Sequence, residues 1–166
     1  VPLFTPVEFY KACQERDQWE GQAYDGTSVR AAAKILKTLG VVSEYRWAKT
    51  VQDVVNTILL KGPMVVGTRW YSNMTKTAHN GFVRPTGTSQ GGHAYVLNGV
   101  DVDGEYFRIK NSWSKKWGKN GFGYISFKHF EQLLENGGEA CIAEERVLSF
   151  VPDFKHLPPP YILGRE

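Results

Sequence analysis

Apolar side chains in the first third of the chain recur at steps of three and four, the period of a helix with one buried face. Val29, Ala32, Ala33, Leu36 and Leu39 follow Thr27-Ser28 in this way, and Gly40 stands where a left-handed C-terminal cap belongs. A helix is predicted on either side of this one. Thr5-Pro6-Val7-Glu8 offers a capping side chain, a proline for the first turn and a glutamate placed to reach back, opening a helix to about Gln14. Thr50-Val51-Gln52-Asp53 opens the other, whose apolar stripe is Val54, Val55, Ile58 and Leu59 and whose stop is Gly62-Pro63. Beyond Pro63 the pattern turns extended. Met64 to Trp70 reads as strand, and Ala94 to Val102 with Tyr106 to Lys110 reads as a hairpin turning at Asp103-Gly104. Gly121 to Phe127 and Ala140 to Val147 read as further strands, with a short helix from Phe130 to Leu134 between them. Helices first and antiparallel sheet afterwards, curled towards a barrel, make an α+β arrangement. The final stretch, Val151 to Glu166, carries four prolines and no period and reads as an extended arm. The expected division is therefore a folded domain over residues 1–150 and a proline-rich arm over 151–166.

Composition narrows the classes of function. The 166 residues are 42% hydrophobic and 22% charged, the balance of a chain that buries a core. The net charge of +3 is too small to demand a nucleic acid or an anionic membrane as partner. No apolar run approaches the roughly 18 residues that span a bilayer, so a soluble chain is expected. Cys13 and Cys141 are too few for a disulfide framework, and neither belongs to a C-x-x-C pair. His79, His129 and His156 have no metal-ligand spacing, so neither metal nor cofactor is expected.

Chemistry concentrates in three segments: Gly91-Gly92-His93-Ala94-Tyr95, Asn111-Ser112-Trp113, and Trp117-Gly118-Lys119-Asn120-Gly121-Phe122-Gly123. The predicted hairpin has His93 opening one strand and Asn111 closing the other, which brings both side chains to the same end of the sheet. An amide oxygen accepting from one imidazole nitrogen fixes the tautomer and leaves the other nitrogen free to take a proton. That pair is a general base with its orienting group. Trp113 is placed to cover the bond and Trp117 to support it. Lys115, Lys116 and Lys119 read as a solvated loop rather than a nucleic-acid groove.

In order and spacing these segments resemble the papain-type cysteine peptidases, in which His-Ala opens a long strand, Asn-Ser-Trp follows one hairpin later, and Trp-Gly-x-x-Gly-Phe/Tyr comes next. The wording DGTSVRAAAKILKTLG with GGHAYVLNGVD is similar to papain-like proteins of bacteria and their phages. The resemblance implies a papain-like fold and peptide-bond hydrolysis on peptide or protein substrates, with His93 and Asn111 in the catalytic site. It further implies that Asp25-Gly26-Thr27 forms a substrate-binding edge. Thr27 replaces the second glycine usual there, and Gly91-Gly92 replaces a larger apolar and acidic pair, opening the pocket beside the histidine.

The nucleophile is the point of departure. The family's cysteine motif near the mature N-terminus, with histidine and asparagine roughly 130 to 150 residues further on, has no counterpart here. Cys13 precedes His93 by 80 residues and Cys141 follows it, so neither fits. The expected nucleophile falls about 40 residues before Val1, on an upstream segment or chain. Two readings stay open: a peptidase whose nucleophile is supplied from outside these residues, and a catalytically inactive papain-like module. The second would serve as a structural or binding protein, for example in a phage particle, docking on assembly neighbours through the arm.

Overall fold

The computed structural model describes residues 5–17 and 25–145, which divide into two compact units. The first takes in the chain up to Tyr45 and the segment from Ala143; the second is Arg46–Ile142. The expected arm over 151–166 lies outside the described residues. No helix among them is long and apolar enough to cross a membrane.

The first unit is built on α1 (Pro6–Glu15) and α2 (Val29–Thr38). The reciprocal cap read from Thr5 and Glu8 forms: the Glu8 N–H donates to the Thr5 hydroxyl, and the Thr5 N–H donates to the Glu8 carboxylate. Ser28 caps α2 by accepting from the Ala31 N–H. Behind it, the buried Asp17 carboxylate accepts from the Thr27 hydroxyl at 2.7 Å and the Ser28 N–H at 2.8 Å. A negative charge at a helix N-terminus also complements the helix dipole. At the other end Gly40 takes φ 70°, its N–H donates to the Lys37 carbonyl, and the Val41 N–H donates to the Leu36 carbonyl. Both orphan carbonyls of the last turn are thereby satisfied. The buried cluster is Cys13, Ala31, Ile35 and Leu39. The expected stripe through Ala32 and Leu36 is thus displaced by one position, and those two residues are only partly buried.

The second unit packs α3 (Val51–Leu60) and α4 (Phe127–Glu135) against a sheet. Its strands are β2 (Met64–Tyr71), β3 (Ser89–Asp101), β4 (Tyr106–Lys110), β5 (Phe122–Ser126) and β6 (Glu139–Glu145), neighbours in the order β6-β2-β3-β4-β5. In the sheet order β1 (Val42–Trp47) is the neighbour of β6; Val42–Tyr45 of the one and the residues from Ala143 of the other belong to the first unit. Every strand pair from β6 to β5 is antiparallel. Val54, Val66, Leu97, Phe107, Ile109, Ile125, Phe130 and Leu133 are fully excluded from solvent and form the core.

Three expectations are corrected. β3 begins at Ser89, so His93 lies inside a 13-residue strand rather than at its opening. The β3–β4 connection is four residues, Val102 to Glu105, not a two-residue turn on Asp103-Gly104. Its left-handed residue is Glu105, at φ 53°, while Gly104 is needed for space: a Cβ there would lie 2.7 Å from the Tyr106 ring. Finally, Leu59 is 60% exposed, because the buried face of α3 runs through Val54, Val55 and Thr57.

Candidate active site

The position of His93 follows from strand alternation. Met64, Val66, Thr68 and Trp70 point into the core from β2, and Thr68 pairs with His93, so His93, Tyr95 and Leu97 share that inner face of β3. On the next strand, Phe107 and Ile109 face inwards and the chain passes into Asn111 one residue after β4 ends. Asn98 is an extra residue in β3, between the pairs Leu97–Ile109 and Gly99–Arg108. This bulge lets Leu97 and Val100 both face the core opposite Ile109 and Phe107, which a strict alternation would forbid.

The predicted pair is formed. His93 Nε2 lies 2.9 Å from Asn111 Oδ1. The identity of the amide oxygen is fixed independently, because the Ser112 backbone N–H donates to the same atom at 2.8 Å and can only donate. An atom that only accepts requires the proton on Nε2, which leaves Nδ1 as the basic nitrogen of the neutral ring. Asn111 is buried at 8% exposure, and its backbone N–H is held by the Gly121 carbonyl. The amide is therefore a fixed post and the imidazole is the group it orients.

Indole rings enclose the pair. Trp113 lies 4.9 Å from the His93 ring and is 40% exposed, forming the outer wall. Trp117 is buried and meets Trp113 edge-on at 6.4 Å. Gly123 makes room for it, since a Cβ there would lie 2.7 Å from the Trp117 ring. The contact missed by sequence reasoning is Trp70, 2% exposed and nearest of the rings at 4.6 Å from His93. Its signal was present: Trp70 continues the inward period-two series of β2 past Thr68. Tyr95 completes the wall, its hydroxyl 3.2 Å from Thr68 Oγ1. Burial lowers the His93 pKa below its ordinary 6.5, and the Asn111 hydrogen bond opposes the shift. Burial wins, so the ring is a neutral base at physiological pH.

The remaining candidates divide between the units. Gly91 and Gly92 precede His93 and are exposed; a Cβ at either would meet no atom within 4 Å. Gly92 pairs with Arg69 on the face opposite His93. Gly26 and Thr27 belong to the first unit. There the Gly26 N–H donates to the Tyr10 hydroxyl at 2.7 Å, and its carbonyl accepts from the Gln14 amide at 3.3 Å. A substrate strand pairing with Gly26 would have to displace both. The thiols of Cys13 and Cys141 are free, buried and each pushed up to about 11, chiefly by desolvation. Neither can be an ionised nucleophile at neutral pH.

The profile of the papain family cysteine proteases matches residues 9–148, and the chain belongs to that family. Cathepsin B-like cysteine proteinase 5 of Caenorhabditis elegans is 30% identical over 111 residues, covering 66% of this chain and 30% of that protein. Cathepsin B-like protease 1 of Arabidopsis thaliana is 29% identical over 159 residues, covering 94% of this chain and 36% of that protein. The chain thus spans about a third of the length of these relatives. The fold is that of xylellain, a cysteine protease from Xylella fastidiosa (TM-score 0.68, 18% identity, 84% of this chain and 69% of that one). Bromelain from Ananas comosus shares it at TM-score 0.59 and 18% identity, over 81% of this chain and 77% of that one.

Proposed function

We propose that residues 1–150 form the base-bearing part of a cysteine peptidase whose nucleophile is supplied from outside these 166 residues. The observation that carries this reading is the His93–Asn111 contact at 2.9 Å, with the tautomer set by an oxygen that can only accept. A cysteine thiol facing Nδ1 would pass its proton to the ring, giving a thiolate and an imidazolium whose Nε2–H remains on Asn111. The thiolate attacks the peptide carbonyl carbon, an S–C bond forms, the C–N bond breaks, and His93 Nδ1 gives its proton to the leaving amine. Water then attacks the thioester carbon as His93 Nδ1 takes its proton, a C–O bond forms, the S–C bond breaks, and the acid product leaves with the thiolate and imidazolium restored. Trp70, Trp113 and Trp117 support this by keeping water from the Nε2–Oδ1 bond.

A second reading, a papain-like module that binds in an assembly such as a phage particle and does not cleave, has one observation in its favour: both cysteines are buried with raised pKa values. One experiment separates the two. The full-length protein and the 166-residue chain are assayed on internally quenched peptides, with and without iodoacetamide. The peptidase reading expects turnover by the full-length protein alone, abolished by alkylation and by His93→Gln. No turnover from a folded full-length protein favours the binding module, and turnover by the 166-residue chain overturns the assignment of the nucleophile.

A further inference from the structure

Charge is segregated along the second unit. Between Asp53 and Asp101 the sequence holds no acid, and between Glu105 and Glu131 it again holds none. Asp101, Asp103 and Glu105 all lie in the β3–β4 turn or at its edge. Measured along β3, that turn is roughly 25 Å from His93 at about 3.3 Å per residue. About three Debye lengths at physiological salt separate them, so the acids of the turn do not neutralise the other end of the sheet. The acid closest to the site in strand register is Glu139, opposite Gly67. It has a partner of its own and lies on the sheet face away from His93.

At the His93 end the exposed side chains are mostly uncharged, and the charged ones next to Trp113 are cationic. Lys115 and Lys116 follow Trp113, the outer wall of the site, in a loop fixed by Ser114 and Asn120 at positive φ and by the Trp117 and Gly121 backbone bonds. Arg69 is exposed opposite Gly92, on the sheet face away from His93, and like Glu139 lies outside the site. A net charge of +3 for the whole chain conceals this local excess.

From this we infer that the site selects acidic peptides, with Asp or Glu on the leaving-group side of the scissile bond. The inference rests on the peptidase reading above, in which His93 gives its proton to the leaving amine. The lysines follow Trp113, the wall of the ring that does so, and are assigned to that side of the substrate. An acidic peptide is favoured over a nucleic acid because the lysines adjoin the wall of a general base suited to acyl chemistry. They do not continue into a long track of phosphate contacts.

The test uses the full-length protein and three internally quenched peptides that differ only after the scissile bond, carrying Asp-Glu, Ser-Gln or Lys-Arg. The expected kcat/KM is about ten-fold higher for the acidic peptide than for the neutral one, the scale of two exposed ion pairs. The preference should shrink as salt is raised. K115E/K116E, checked for an unchanged melt, should remove it while leaving the neutral peptide within about two-fold. Binding of the same peptides is read in parallel by fluorescence anisotropy, so a protein that binds without cleaving still reports its preference. Cleavage of all three at equal rates overturns the inference and leaves the peptidase reading intact. Equal binding of all peptides, or tighter binding of a single-stranded oligonucleotide of matched charge, also overturns it.

Discussion

The acceptor-only character of Asn111 Oδ1 decides what His93 can do. Replacing the amide removes the one hydrogen bond that raises the His93 pKa, while the burial that lowers it remains. Asn111→Ala should therefore lower the His93 pKa further, read by NMR titration of the imidazole, and free the ring to exchange tautomers. In the full-length protein the same variant should lose activity by about 10²-fold, the low end of what a positioned general base contributes. An unchanged titration would show that the 2.9 Å contact does not hold in solution. The cysteines give an opposite kind of prediction, because their thiols are buried and pushed up to about 11. At pH 7.5 the folded 166-residue chain should leave a disulfide reagent almost unreacted, and denaturant should release two thiols. Rapid labelling of either cysteine in the native chain would reopen it as a nucleophile.

At the scale of elements, what could be read in the sequence was what local chemistry fixes. The caps at Thr5, Ser28 and Thr50 and the left-handed stop at Gly40 stand where the side-chain pattern put them. β1 was not read, because only Val42 of its six residues is buried and an edge strand carries no alternating signal. The start of β3 was missed for a related reason. Ser89 to Gly92 have little β-propensity and are held by pairing with β2, a contact distant in sequence. The Asn98 bulge depends equally on register, which only the folded sheet sets; the period of β2 put Trp70 on the inner face, but its place beside His93 follows from the β2–β3 pairing. Packing inside this element has a measurable consequence at Gly123, where an added Cβ would strike the Trp117 ring. Gly123→Ala should destabilise the chain by about 1–3 kcal/mol through overpacking. It should also disturb tryptophan fluorescence, since Trp117 bears on Trp113 and Trp70. An alanine variant with unchanged denaturation midpoint and emission would show that the tryptophan shell is loose.

At the scale of the molecule, family, fold class and the histidine–asparagine pair were legible because three short motifs keep their spacing across a hairpin whose pairing is local. Trp113 and Trp117 were legible in the same motifs, whereas the contact of Trp70 with the ring was not, since it comes from a strand distant in sequence. The same burial that tunes the site should also be visible in the stability of the chain as pH falls. His93 is held below its ordinary 6.5 by desolvation, and His129 is lowered by desolvation and then by Arg84 and Lys128. An unfolded chain binds protons at both rings from about pH 6.5 downwards, while the folded chain does so only at lower pH. Stability is therefore complete above about 6.5 and declines as pH falls through the folded values. The carboxylates held low by hydrogen bonds, Glu8, Asp53 and Asp101, act in the same direction, but only within and below the carboxylate range. The loss between pH 7 and about 5 belongs to the two histidines. Urea midpoints taken at pH 7.5, 6 and 5 should fall across that interval, and His93→Gln together with His129→Gln should flatten the fall. A native midpoint that stays constant from 7.5 to 5 would mean that the imidazole of His93 is freely hydrated, and the enclosure drawn by Trp70 and Trp113 would not stand.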